Sequence, residues 1–224
     1  AHDAYLPAKY HANDLSGKQT CKRALQQELG LPILDVPLVA VIGRLTFQKG
    51  FDLLLEILPE LMALDLQLVV LGTGDAHLEQ GFIAAKEKYA RRIGLHLGFD
   101  EGLAHRIEAG SDLLIMPSRY EPCGLSQLYS LRYGTVPIVR RTGGLADTVV
   151  PFRPSTNKSK TATGFHFIDP SPDALLSAIL LALHAYEEQE VWRSLVTAGM
   201  KADLSWDQSA RVYADLYRQL RDGR

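Results

Sequence analysis

The strongest constraint on this 224-residue chain is a rhythm: short, continuously apolar runs alternate with segments long enough for a helix. The runs are LVAVIG (38–43), QLVVLG (67–72), GLHLGF (94–99), DLLIMP (112–117) and VPIV (136–139). Continuous apolarity, rather than strict apolar–polar alternation, suits strands buried on both faces. Between them, 51–64, 76–91, 102–110 and 124–133 supply helical crossovers. Strand, helix, strand at this spacing predicts an α/β fold with a doubly wound, Rossmann-like parallel sheet. A helix over 18–29 precedes the sheet, with Ser16 as its cap and Gly30 then Pro32 closing it. Residues 1–17, rich in Pro, Asp, Asn and Gly, read as a linker rather than the start of a core. The Pro, Ser, Thr, Asn and Lys content of 151–163 predicts an exposed loop before GFHFID (164–169). Helices near 171–187, 189–200 and 207–221 finish the chain. The last carries Val212, Tyr213, Leu216, Tyr217 and Leu220 as an apolar stripe at helical spacing.

Composition removes several classes of function. Lys plus Arg total 24 against 26 Asp plus Glu, a formal net charge of -2, so no strong field exists for nucleic acid or an anionic membrane. No run approaches the roughly 20 apolar residues of a membrane span. The opening AHDAYLPAKYHANDLSG lacks the apolar stretch of a signal peptide. Two cysteines, Cys21 and Cys123, make no disulfide framework, so a reducing, cytoplasmic setting is expected. The seven histidines show no paired metal-ligand spacing, and the chain has no Asp-X-Asp carboxylate mount. Neither a metal nor a cofactor is expected.

In an open parallel sheet, ligands bind outside the carboxyl ends of the strands. The chemistry-bearing residues fall in that position repeatedly. Gly43 and Gly50 bracket Arg44 and Lys49 after the first run, where a guanidinium fork, an ammonium and a helix start suit a phosphate-bearing ligand. Gly72-Thr73-Gly74 and Thr142-Gly143-Gly144 are expected to let backbone N–H groups approach an anion. Neither matches the dinucleotide fingerprint, and no P-loop sequence occurs, which disfavours a pyridine-nucleotide dehydrogenase and a P-loop NTPase. Glu121 is out of place beside an anion unless it meets hydroxyls or developing positive charge, and a sugar supplies both. Cys123 has no His near it in sequence and reads as a small packed or ligand-lining thiol rather than a nucleophile.

Longer motifs carry a resemblance. Gly43 to Leu54 (GRLTFQKGFDLL), Pro117 to Tyr129 (PSRYEPCGLSQLY), Tyr133 to Pro137 (YGTVP) and Arg141 to Val149 (RTGGLADTV) resemble the donor half of glycogen and starch synthases. The likeness runs from Asp14 to at least Phe165. It implies a retaining glucosyltransferase of the two-Rossmann-domain (GT-B) type, moving glucose from ADP-glucose, or sometimes UDP-glucose, to the non-reducing end of an α-1,4-glucan. By that analogy Arg44, Lys49 and Glu121 are catalytic: the two cations hold the diphosphate and stabilise its departure, and Glu121 contacts the donor glucose. The turn Cys123, Gly124, Leu125 and Ser126 would offer donors to sugar and phosphate. Phe99 matches the position of an aromatic ring stacked on the base. Many related transferases carry a second Glu eight residues after the first, where this chain has Tyr129, and glycogen synthases are similar in lacking it.

The resemblance also implies an N-terminal Rossmann half, with the acceptor groove and a catalytic-site His, that nothing here matches. The expectation is therefore a linker from that missing domain (1–17), a donor-binding domain (18–200) and a C-terminal helix crossing back to the missing domain (201–224), inactive alone. Trp206, Tyr213 and Tyr217 should then be exposed in this chain. Bacterial cytoplasm and plant plastid share the motifs, and the expectation is bacterial. A non-catalytic nucleotide-sugar or glucan binding module is the alternative.

Overall fold

The computed structural model describes residues 3–153 and 160–223. Its centre is a six-stranded, wholly parallel sheet in the order β3-β2-β1-β4-β5-β6. The strands are β1 (Leu38–Ile42), β2 (Gln67–Gly72), β3 (Ile93–Leu97), β4 (Leu113–Met116), β5 (Val136–Arg140) and β6 (Phe165–Phe167). The helices are α1 (Ser16–Glu28), α2 (Phe51–Glu56), α3 (Leu58–Leu61), α4 (Ala76–Lys88), α5 (Glu101–Gly110), α6 (Ser126–Arg132), α7 (Gly143–Thr148), α8 (Pro172–Glu187), α9 (Gln189–Lys201) and α10 (Trp206–Arg221).

The continuous apolar runs are explained by burial on both faces. Val39, Val41, Leu68, Val70, Leu113 and Ile115 point into one core with Phe51, Leu54, Phe82, Leu175 and Ile179 of the helices. The alternate residues Leu38, Ala40, Val69, Leu71, Leu114 and Met116 point into a second core with Leu25, Leu103, Ile107 and Leu145. Period-two side-chain alternation makes one strand serve both layers. The order 3-2-1-4-5-6 reverses direction between β1 and β4, and the crevice outside their carboxyl ends is the switch point of such a sheet.

Several boundaries differ from those expected. The 51–64 helix is two, because Pro59 near the start of α3 has no N–H to continue the ladder. Ser16 does not cap α1; it is the first helical residue, and its N–H is taken by Asp14 Oδ1 at 3.0 Å. Residues 143–148, read as a glycine loop, are a short helix, and 165–167 add a sixth strand. The expected loop 151–163 lies in part outside the described residues; Pro151 bridges Gly164 within the described part.

The opening segment packs on the core rather than hanging free of it. Tyr10 is buried and donates its hydroxyl to Tyr133 O at 2.8 Å, and Asp3 meets His105 (2.7 Å) and the Tyr133 hydroxyl. At the other end, α10 presents its large apolar side chains to solvent: Trp206 is 84% exposed, Tyr217 65% and Tyr213 57%. The expected exposure of these three rings is what the structure has. No helix among the described residues is long and apolar enough to cross a membrane.

Candidate functional site

The loops after β1, β4 and β5 come together at the carboxyl edge of the sheet. Lys49 ends a single 3-10 turn (Phe47–Lys49), and Gly50 follows it in the left-handed region, φ 73°. A Cβ on Gly50 would stand 2.1 Å from Pro117 O, so only glycine lets the β1 loop lie against the β4 loop. That contact brings Lys49 Nζ to 2.5 Å from Glu121 Oε2. Ser118 Oγ donates to the same oxygen at 3.1 Å. Glu121 is only 8% exposed, so a paired ammonium and a hydroxyl offset the cost of burying its charge.

The β5 loop closes on the other side of Glu121. Gly144 N–H donates to Glu121 O at 3.1 Å, and a Cβ on Gly144 would fall 2.3 Å from Cys123 O. Gly143 and Gly144 thus serve close packing of α7 on residues 121–123, and the Gly144 amide is already engaged. Gln127 holds the same turn from the α6 side, donating from Nε2 to Cys123 O and Gly124 O at 3.0 Å each and to Thr148 Oγ1 at 3.2 Å. Cys123 and Leu125 are exposed at this edge, and Ser126 opens α6 partly exposed. Thr142 precedes α7, also partly exposed.

Arg44 is exposed and has no partner among the described residues. It is therefore a guanidinium available to an incoming anion, whereas Lys49 is already neutralised by Glu121. Phe99, 91% exposed, follows β3 and does not fill the core. It stands two strands from β1, roughly 10 Å at about 4.8 Å per strand. Asp100 Oδ1 accepts Leu103 N–H at 2.8 Å and starts α5 directly behind that ring. Asp100→Ala is expected to cost about 1 kcal/mol of stability, the usual value of an N-cap, measured by urea unfolding.

The Gly72-Thr73-Gly74 loop takes a different role from the expected one. Thr73 Oγ1 donates to Glu79 Oε1 at 2.5 Å and Gly74 N–H donates to it at 2.8 Å. These bonds hold the Glu79 carboxyl below its ordinary range. The Thr73 hydroxyl and the Gly74 amide are thus engaged by a carboxylate of the chain itself. Gly72 backs onto Gly43, where a Cβ would meet Gly43 O at 1.9 Å. Gly43 and Gly72 therefore join the β1 and β2 loops, and the Gly43 amide donates to Leu71 O at 3.0 Å.

Two cavities open elsewhere. One of about 400 Å³ lies under the opening segment, between Asp3, Tyr10, Arg132 and Lys201. The other, about 1010 Å³, lies at the amino edge of the strands beside Lys22, Asp112, Tyr186 and Trp192. Arg44, Lys49 and Glu121 line neither cavity; they lie at the strand-edge crevice, where side chains of three loops meet.

The sequence profile of the family "Glycosyl transferases group 1" matches residues 26–195. The chain belongs to that family. A glycogen synthase of Anaeromyxobacter sp. (strain Fw109-5) is 56% identical over 98% of the chain, and one of Thioalkalivibrio sulfidiphilus is 51% identical over 97%. Each match spans only 46% of the relative, so the chain covers about half the length of these curated proteins. Among solved structures, the catalytic domain of starch synthase IV from Arabidopsis thaliana, bound to ADP and acarbose, superposes with a TM-score of 0.89 at 37% identity, covering 98% of this chain and 46% of that one. The C-terminal domain of a group 1 glycosyl transferase from Francisella tularensis shares the fold at 16% identity, TM-score 0.60, covering 88% of this chain and 92% of that one. A match of that form fits the expected half of a two-Rossmann-domain glycosyltransferase. Within this group 1 chain, sequence reasoning passed over Ser118, Asp52, Arg119 and Gln127, whose roles arise from contacts between distant loops.

Proposed function

We propose that this domain binds a nucleoside-diphosphate glucose, ADP-glucose or UDP-glucose, as the donor half of a cytoplasmic, retaining glycogen or starch synthase. The observation that carries the reading is the Lys49–Glu121 pair at the β1/β4 crevice, with an exposed Arg44 in the same loop as Lys49 and unpaired among the described residues. Arg44 takes the diphosphate and Lys49 shares its remaining N–H donors with it. Fixed cations of this kind offset the charge that develops on a departing diphosphate. Glu121 accepts hydroxyls of the glucose, and Phe99 provides the face on which the base stacks. Cys123, Gly124, Leu125 and Ser126, with Thr142 and Gly143, line the sugar and phosphate side. Support comes from the 37%-identical starch synthase IV domain, which was solved with ADP and acarbose.

In this reading the acceptor glucan, an α-1,4-glucan, is held by a preceding domain of the same enzyme, against which the exposed stripe of α10 packs. Half an enzyme cannot exclude water from the donor, so the 224-residue chain is inactive alone. Titration calorimetry with ADP and with ADP-glucose tests the assignment. Weak, saturable binding of ADP, without glucan elongation by the same chain, is the expected result. Failure to bind ADP or UDP would overturn the donor assignment, and binding of a glucan without either nucleotide would favour a non-catalytic module. Efficient elongation would overturn the half-enzyme reading.

A further inference from the structure

We propose that Arg119 is a positioning residue: it touches no ligand and instead sets the Lys49–Glu121 pair across the crevice. The ladder between β1 and β4 has only two residue pairs, Val39 with Leu113 and Ala40 with Leu114, against five between β1 and β2. Towards their carboxyl ends β1 and β4 are therefore not held together by main-chain pairing. Among the described residues one main-chain bond, from Arg119 N–H to Gln48 O, joins the loops that follow, and side chains complete their spacing.

Arg119 does most of this. Its Nη1 and Nη2 donate to Asp52 Oδ1 and Oδ2, each at 2.7 Å, a two-point fork on the first turn of α2. Nη1 also donates to Phe47 O at 2.7 Å, the Arg119 N–H donates to Gln48 O at 2.8 Å, and the Phe47 ring lies 3.6 Å from the guanidinium carbon. Lys49 is thus bracketed by one residue, at Phe47 and Asp52 through its side chain and at Gln48 through its main chain, two residues before Glu121 in the opposite loop. Gln48 Nε2 adds a bond to Tyr120 O at 3.3 Å, and Arg140 Nη1 braces Arg119 O at 2.5 Å. Both Nη1 hydrogens are used within the chain. Counting charges would assign Arg119 to the diphosphate; its bonds assign it to holding Lys49. A lysine in its place has no planar fork for Asp52.

The ligand arm of the test rests on the donor reading above; the spectroscopic arm does not. In the 224-residue chain, the Lys49 ammonium resonance, assigned through Lys49→Arg, reports its pairing with Glu121 without any nucleotide. Arg119→Lys and Asp52→Asn are each expected to shift that resonance and to weaken ADP binding by roughly tenfold, the loss of about one charge-assisted hydrogen bond. The double variant is expected to be no worse than the weaker single, since both break the same contact. Asp52→Glu, which keeps the carboxylate, should restore much of the wild-type resonance and affinity. An unchanged Lys49 resonance in both single variants would overturn the proposal, as would a lowered melting temperature with unaltered ADP affinity. If the wild-type chain binds no ADP, the donor reading falls and the resonance alone decides the role of Arg119.

Discussion

Lys49→Ala is expected to lose both nucleotide binding and stability, whereas Arg44→Ala should lose binding alone. The two cations share a loop but not a situation. Arg44 is exposed and unpaired among the described residues, so nothing in the fold depends on its charge. On the proposed donor reading, removing it deletes a charge-assisted contact of about 1.5–3 kcal/mol to the diphosphate, an expected loss of roughly 10- to 100-fold in ADP affinity. On the proposed donor reading Lys49 makes the same kind of contact, and in the fold it neutralises Glu121, which is nearly buried. Breaking a buried pair by removing one partner costs about 3–5 kcal/mol, discounted to about 1–3 here because the Lys49 side chain keeps partial exposure and Ser118 still donates to Glu121. Calorimetric titration with ADP and thermal melts of both variants check this. Equal melting temperatures for the two, or wild-type affinity in either, would contradict it.

Lys22→Met should destabilise the domain by about 3–5 kcal/mol and leave ADP affinity untouched. Lys22 Nζ donates to Asp112 Oδ2 at 2.6 Å and to Val36 O at 2.7 Å, and both side chains of the ion pair are nearly buried. Asp112 Oδ2 also accepts the N–H of Leu38, the first residue of β1. The pair therefore joins α1 to the starts of β1 and β4, at the edge of the sheet opposite the crevice. Without Lys22 the carboxylate retains one backbone donor and, as opposite charge, only Lys18, which makes no direct bond to it. Replacing both partners, as Lys22→Met with Asp112→Leu, should recover part of the loss, because a packed apolar pair carries no desolvation penalty. Urea unfolding of the single and double variants reads the difference. A double variant less stable than Lys22→Met would show that the Asp112–Leu38 bond, rather than the ion pair, matters most.

The exposed crevice edge and the exposed α10 stripe lie on the same small domain. Phe99, Leu125 and Tyr129 at the one, and Trp206, Tyr217 and Leu220 on the other, are apolar surface of the kind that another domain covers. That distribution accords with a chain that spans about half of its glycogen synthase relatives.

Much of the fold is legible in the residues. Runs such as LVAVIG and QLVVLG cannot be half-exposed strands, and the helix-length segments between them leave little choice but parallel crossovers. Loops carrying Arg44, Lys49 and Glu121 then fall on one edge by topology alone. The short helix at Gly143–Thr148 was not legible, because two glycines oppose helix by intrinsic propensity; packing against residues 121–123 overrides that preference and itself requires the glycines. The bonds of Thr73 and Gly74 were not legible for a related reason: the carboxylate that takes their donors, Glu79, belongs to the following helix and is placed by its geometry.

The sequence by itself determined the layered architecture and the set of charged loops, since both follow from local apolar period and from the order of elements along the chain. Only the tertiary structure decided which charges are free and which are spent. Arg44, Lys49 and Arg119 look alike in sequence, yet among the described residues Arg44 is unpaired, Lys49 is joined to Glu121 and Arg119 is consumed by Asp52 and Phe47. Those partners lie about seventy residues apart along the chain and meet because neighbouring strands bring their loops together, which no local pattern encodes.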